Sequence, residues 1–466
     1  MAHQAASLTK AEPNTYSPSL ELIALLATGG AFFMVILDTS VVNLALPSIA
    51  AELGGELTGM QWIVDGYALV FASLLLTAGT FGDRYGSKFA FLVGLATFTA
   101  ASVLCGFSRN ILELEAARAM QGVGAALQVP TSLALLGHTI VDPARRARAI
   151  GGWSGAGAIA IAAGPIVGGS LVQLFGWRSI FFANLPIGVI GAFLAWRFIV
   201  DTPPKGQRKL DLTGLFFSIS ALGFTTFTLI EGSRMGWRAP QIIASSLAAV
   251  LSVAAFLITE ARAADPMLPL DFFRRRTFSA TVSIGLLHNF GVYGQIFVLS
   301  WAFQNFRHEL PLAAGLSLMP LTTAIAVGVT LGIRLVRRYG SMLPLAAGNG
   351  LAACAGLAIA SVGISNQALL AGLLIAAGVG TGMTTPAMNL AALDSLGADR
   401  SGLAAGALNA GRQIGGVFGV AILGSLIGSD LSESDLRLAL LIGALAMGLA
   451  ALCACVFIKA RNTQVE

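Results

Sequence analysis

Apolar residues run along this chain in stretches of about twenty or more, separated by short clusters of charge, glycine and proline. A helix needs about 20 such residues to cross about 30 Å of hydrocarbon. The stretches fall near 20–47, 58–80, 87–107, 111–138, 147–174, 177–199, 211–231, 240–260, 277–300, 311–334, 342–362, 366–389, 402–428 and 436–459, which predicts fourteen membrane-spanning helices. Residues 1–19, with Lys10, Glu12, Pro13 and Pro18, are too polar for the core of a secretory signal, and the apolar stretch that follows is too long for one. They are expected to form a tail ahead of an uncleaved first span, with a second short tail at 460–466.

Composition agrees with a lipid solvent. The 466 residues are 56% hydrophobic and 11% charged, against roughly 25% charged in soluble domains. All four cysteines, Cys105, Cys354, Cys453 and Cys455, lie in apolar stretches, as expected of small buried hydrophobes rather than a disulfide or metal framework. The formal charge of +5 comes from arginine and lysine in the loops between spans, which orient a protein in its bilayer and need no nucleic acid as partner. One set of loops, holding Arg84, Lys88, Arg145, Arg146, Arg148, Arg274, Arg275, Arg276, Arg337 and Arg338 among others, is far richer in base than the other, which holds Arg109, Arg178, Arg234, Arg238, Arg307 and Arg437. An even number of spans with this bias predicts that both termini are cytoplasmic. Trp301, near the far end of span nine, is expected to anchor at the membrane interface.

The chain also repeats itself. Gly122-Val-Gly124 with Pro130 in span four matches Gly378-Val-Gly380 with Pro386 in span twelve, at an offset of 256. Asp83-Arg84-Tyr85-Gly86-Ser87 after span two matches Arg337-Arg338-Tyr339-Gly340-Ser341 after span ten, at an offset of 254. Two six-helix halves follow, residues 20–199 and 277–459, with a linker at 200–276 that carries inserted helices seven and eight. Parallel halves with a substrate site between them describe one class of secondary transporter.

Ionisable side chains in a membrane span cost several kcal/mol unless they face a partner or a cavity. Asp38, Asp65, Arg118 and Arg412 are therefore functional candidates, with a purely structural ion pair as the alternative. Burial disfavours a carboxylate and a nearby guanidinium favours it, so Arg118 moving relative to Asp38 is expected to switch proton affinity. Asp65 and Arg412 are expected to pair in one conformation and separate in another. Gly157, Gly164 and Gly168 share a stripe of span five, where Pro165 removes a backbone donor, so close packing and a bend are expected there. Span nine carries Phe290, Tyr293 and Phe297 at helical spacing, with His288 and Asn289 beside them. These five, together with Asn43, Gln121 and Asn409, are assigned to a substrate cavity. No phosphate-binding glycine loop or zinc-hydrolase motif is present, which speaks against ATP-driven transport and zinc hydrolysis; no enzymatic activity, metal or cofactor is expected.

Several of these segments resemble a known family. Gly79-Thr-Phe-Gly-Asp83-Arg84-Tyr-Gly86-Ser-Lys88 resembles the signature loop of the major facilitator superfamily, although Ser87 stands where a basic residue is usual. Leu37-Asp38-Thr39-Ser40-Val41-Val42-Asn43-Leu44-Ala45-Leu46-Pro47 and Trp62-Ile63-Val64-Asp65-Gly66-Tyr67 resemble the first- and second-helix motifs of its fourteen-helix drug:proton antiporters, especially exporters of the methylenomycin A resistance type. Arg118-Ala-Met-Gln121-Gly122-Val-Gly124 resembles the buried-arginine motif, and Gly164-Pro165-Ile-Val-Gly168-Gly169 the antiporter motif.

The resemblance implies an all-α major facilitator fold of two six-helix bundles plus two inserted helices in a bacterial inner membrane. It implies proton-driven export of small, largely apolar toxic compounds; the sequence is silent on oligomeric state, for which a monomer is the expectation. Proton coupling then falls to Asp38, Arg118 and Asp65. Conformational switching falls to Gly79, Asp83, Arg84, Gly86, Gly164, Pro165, Gly168, Gly169 and Arg412. A dedicated exporter of one endogenous metabolite, an importer by symport, and a transport-dead sensor or scaffold are the competing readings.

Overall fold

A computed structural model describes residues 18–140, 142–200, 210–263, 265–396, 401–427 and 432–458. Fourteen helices long and apolar enough to span a bilayer are present among them. They are α1 (Pro18–Leu53), α2 (Leu57–Tyr85), α3 (Ser87–Phe107), α4 (Ile111–Thr139), α5 (Pro143–Phe175), α6 (Ser179–Phe198, interrupted at Ala183), α7 (Leu212–Met235), α8 (Pro240–Arg262), α9 (Arg276–Asn305), α10 (Pro311–Tyr339), α11 (Met342–Val362), α12 (Gln367–Leu396), α13 (Ser401–Ile427) and α14 (Glu433–Phe457). Residues 1–17, the second tail and the predicted ends at 428 and 459 lie outside the described residues, while Pro18 and Ser19, expected in the first tail, already belong to α1.

Most helices outrun the apolar stretches that announce them. Hydrophobicity marks the hydrocarbon layer, whereas the i→i−4 ladder continues until a cap or a glycine ends it. Thus α2 runs to Tyr85 and places Gly79, Asp83 and Arg84 within the helix rather than in a turn; the turn is Gly86 alone, at φ 95°. Its repeat Gly340 ends α10 at φ 76°, a region that favours glycine for lack of a Cβ. Asp142 caps α5, its Oδ1 accepting from the Arg145 amide at 2.7 Å, with Pro143 in the first turn where its missing N–H is harmless.

The repeat governs packing. Helices α2 and α10 are both 29 residues long, and α3 and α11 both 21. In each half the fourth helix presses a glycine onto the second: a Cβ on Gly122 would overlap the Tyr67 carbonyl, and one on Gly378 the Leu321 carbonyl, the glycines being offset by 256 residues and the carbonyls by 254. The two bundles meet along two seams, α2 against α13 and α5 against α10. Inserted α7 lies over the first seam, touching both α2 and α13, and α8 packs on α7. Outward side chains of α8 such as Leu247, Val250 and Leu251 are exposed, as suits a lipid-facing helix.

Two smaller expectations are corrected. Trp301 is buried at 9% exposure, packed into the core where α9 meets its neighbours, so its ring is not the outward-facing anchor expected. Of the cysteines only Cys105 is fully buried, while Cys354 and Cys455 are exposed on outward helix faces, where lipid accepts a thiol as readily as a core does.

The hydrogen bonds described between the bundles cluster at one end. Gln61 Nε2 donates to the Val420 and Ala421 carbonyls at 3.1 and 2.9 Å, Ser300 Oγ to the Asn43 carbonyl at 2.9 Å, and the Leu312 amide to Gln173 Oε1 at 3.3 Å. All lie towards the end remote from Arg84, Arg275 and Arg338. The α5 motif explains much of this closure. Gly164 and Gly168 admit Ser40 and Val41 of α1, while the Pro165 carbonyl and Gly169 face Gly315 and Leu312 of α10. Pro165 itself lies inside one uninterrupted helix.

Candidate functional site

Asp38 lies in the middle of α1 at 1% exposure, and every neighbour that reaches its carboxylate is a donor. Arg118 Nη1 of α4 forms an ion pair with Oδ2. Oδ1 accepts from Asn184 Nδ2 of α6 at 3.1 Å and from Gln121 Nε2 at 3.3 Å. A second layer holds these donors: Ser102 Oγ of α3 accepts from Gln121 at 2.8 Å and from Asn184 at 3.3 Å. Arg118 is fixed as well, through Nε on the Ile63 carbonyl at 3.0 Å, Nη1 on Gln121 Oε1 at 2.7 Å, and the Tyr67 ring 4.4 Å from Cζ. A buried ion pair is tolerable only when its remaining donors and lone pairs are satisfied, and this one draws on five helices of one bundle.

Beside the network lies a cavity between the bundles, lined by Asp65, Tyr67 and Arg118 from one side and by Tyr293, Gln413 and Gly416 from the other. Its volume of about 40 Å³ admits a few waters, so a drug-sized molecule enters only after the bundles part. Asp65 is fully buried, and among the described residues neither of its carboxyl oxygens has a hydrogen-bond partner.

Asp65 and Arg412 are not paired in this conformation. Arg412 Nε instead approaches Asn289 Oδ1 at 3.5 Å. Of the residues assigned to the cavity, only Tyr293 lines it. Gln121 belongs to the Asp38 network. His288 turns into the core of its own bundle, Nδ1 2.8 Å from Asn349 Oδ1 and Nε2 3.3 Å from Thr384 Oγ1. Phe297 is fully buried against Gly424, and Phe290 sets its carbonyl against Gly419. The Asn43 side chain donates to the Thr39 carbonyl at 3.2 Å. Asn409 is exposed one turn below Gln413, on the cavity stripe of α13 towards the basic end. Asp83 and Arg84 are exposed and form no ion pair among the described residues. Helical spacing alone does not tell which side of α9 faces the other bundle, and that ambiguity is why the aromatic stripe misassigned several side chains.

Sequence reasoning passed over Asn184, Ser102, Gln61 and Gln413. An amide inside an apolar span was the available signal for Asn184, which stands in Phe182-Ala-Asn-Leu-Pro186. Among the described residues no group of three or more His, Cys, Asp or Glu is placed to hold a metal ion.

The chain is 38% identical over 457 residues to the methylenomycin A resistance protein of Bacillus subtilis, covering 97% of each chain. It is 34% identical over 423 residues to the multidrug resistance protein Stp of Mycobacterium tuberculosis, covering 89% of this chain and 77% of the relative. Among solved structures, a POT family transporter in complex with a thioalcohol-conjugated peptide superposes with a TM-score of 0.71 at 14% identity, covering 94% of this chain and 95% of the other. The profile of the Major Facilitator Superfamily matches residues 28–420. With two bundles, a buried ion pair and a cavity between them, this multi-pass membrane protein is a transporter rather than an enzyme, and it belongs to the Major Facilitator Superfamily.

Proposed function

We propose that the protein exports small, largely apolar toxic compounds across a bacterial inner membrane in exchange for protons, with both termini and the basic loops in the cytoplasm. The observation that carries this reading is the Asp38–Arg118 pair, a carboxylate and a guanidinium completely enclosed in one bundle beside an interbundle cavity. The antibiotic- and multidrug-resistance relatives support the export direction.

With the basic end inside, the closed end faces outwards and the structure is ready to open inwards. The segments 20–199 and 277–459 then rock as two bodies, joined by 200–276. Arg118 holds Asp38 as a carboxylate while substrate enters from the cytoplasm. When the outer end opens, Arg118 is drawn back, Asp38 takes a proton from outside, and substrate leaves. Return to the inward state restores the pair and releases the proton to the cytoplasm, so proton entry is coupled to substrate exit. The proton gradient is the sole energy source and no cofactor takes part. Asp65 is the second carboxyl available to exchange a proton with the cavity, and Gly79, Asp83, Arg84, Gly86, Gly164, Pro165, Gly168 and Gly169 serve the rocking.

The test is a pump-deficient bacterium expressing the wild-type chain or Asp38→Asn across a broad toxin panel, with proton efflux from energised inverted vesicles measured on adding each toxin that is resisted. Resistance and proton release that both require Asp38 support the reading. Resistance undiminished in Asp38→Asn with unchanged pH dependence would move the carrier elsewhere, to Asp65 first.

A further inference from the structure

The two mid-helix arginines are held very differently. Arg118 has its carboxylate, its carbonyl, its amide and its aromatic ring. Arg412 has one described hydrogen bond, the 3.5 Å approach of Nε to Asn289 Oδ1, and no ion pair among the described residues. Asp65, the acid lining the same interbundle region, does not reach it. A guanidinium stays charged under all cellular conditions, and in a membrane span such a charge costs several kcal/mol unless it meets a counter-ion or water.

Its surroundings suggest what is missing. The stem of Arg412 packs over Gly285 of α9, where a Cβ would come 3.0 Å from Cγ, so the charged head is carried towards Asn289. Asn289 lies one turn from Tyr293, and Arg412 lies one turn from Gly416; both Tyr293 and Gly416 line the cavity. The head group therefore sits just on the basic side of that cavity, at the end where no hydrogen bond joins the bundles among the described residues. Arg412 is only partly buried there.

We propose that Arg412, with Asn289 beside it, binds the carboxylate of a small and otherwise apolar substrate that enters from the basic end. The free Nη edge of a planar guanidinium matches a carboxylate with two parallel hydrogen bonds. The Asn289 amide, whose Oδ1 faces Nε, adds a donor through Nδ2, and the aliphatic lining of the cavity accepts the apolar body. This assignment deepens the export reading by naming a substrate class, and rests on it only in calling the ligand a substrate.

The experiment uses the full chain in lipid nanodiscs with no proton gradient, so failure of proton coupling does not affect it. Three probes share one apolar body: 4-phenylbutyrate, 4-phenylbutanamide and 4-phenylbutylamine. Calorimetry should show the acid binding about tenfold or more tighter than the amide, as expected of charge-assisted hydrogen bonds. Arg412→Gln should abolish the advantage of the acid over the amide, and Arg412→Lys should keep part of the preference. Equal binding of acid and amide to the wild type, tightest binding of the amine, survival of the acid preference in Arg412→Gln, or no saturable binding of the acid would each overturn the proposal. The wild-type comparison stands even if a variant fails to fold.

Discussion

Gln61 of α2 donates its amide hydrogens to the backbone carbonyls of Val420 and Ala421 on α13, at 3.1 and 2.9 Å, so that one side chain ties the two bundles together near the end remote from the basic loops. Each such bond contributes about 1 kcal/mol net. Gln61→Leu removes both and should shift the balance between end-closed and end-open states by about 5- to 30-fold towards opening. A cysteine at Val420 in a cysteine-free background reports this as faster reaction with a water-soluble maleimide. An unchanged labelling rate would mean that other seam contacts carry the closure.

Asp38→Asn leaves the Arg118 guanidinium buried with only neutral acceptors. Breaking a buried pair from one side costs about 3–5 kcal/mol, so the variant should unfold at a lower temperature as well as losing proton-driven export. Asp38→Glu should retain part of the activity at a shifted pH optimum. Arg118→Ala should be more damaging than Arg118→Lys, which keeps the charge but not the Ile63 and Gln121 bonds together. Thermal unfolding in detergent and vesicle transport read the two effects separately.

Gly315 of α10 faces the Pro165 carbonyl so closely that a Cβ would overlap it, whereas Gly350 on α11 has nothing within 4 Å of such an atom. Gly315→Ala should therefore force the α5–α10 seam apart and abolish export at normal expression, and Gly350→Ala should transport as the wild type does. Comparable activity of the two variants would show that the seam yields without penalty.

Orientation is checked at Arg274, exposed in the connection before α9, and at Glu56, exposed between α1 and α2. Cysteines placed there, with Cys354 and Cys455 replaced because both are exposed, should respectively resist and accept a membrane-impermeant thiol reagent in intact cells. The reverse pattern would invert the transporter in its membrane.

The spans, the duplication and the Asp38–Arg118 pair were legible in the sequence because each rests on a property that survives without coordinates: length of apolar run, spacing of glycines, and the expense of charge in hydrocarbon. The cavity lining was not. Which face of α9 meets the other bundle depends on helix rotation, set here by Gly291 against Gly443 and Met447 of α14 and by Gly294 against Gly419 of α13. These close approaches turn His288 into its own bundle and leave Tyr293 at the cavity. Nothing local to His288-Asn289-Phe290 encodes that choice.

Inserted α7 is bonded to both bundles at once: Glu231 accepts from Trp62 Nε1 of α2 at 3.1 Å, and the Leu229 carbonyl accepts from Ser425 Oγ of α13 at 3.1 Å. Neither α7 nor α8 lies on the α5–α10 side. The duplicated halves create two equivalent seams, yet parting one of them requires α7 to let go of a bundle, at roughly 1 kcal/mol per bond, and parting the other does not. Seen from above the membrane, the molecule thus has a stapled flank and a free flank, and a path that opens sideways into lipid meets less resistance between α5 and α10 than between α2 and α13.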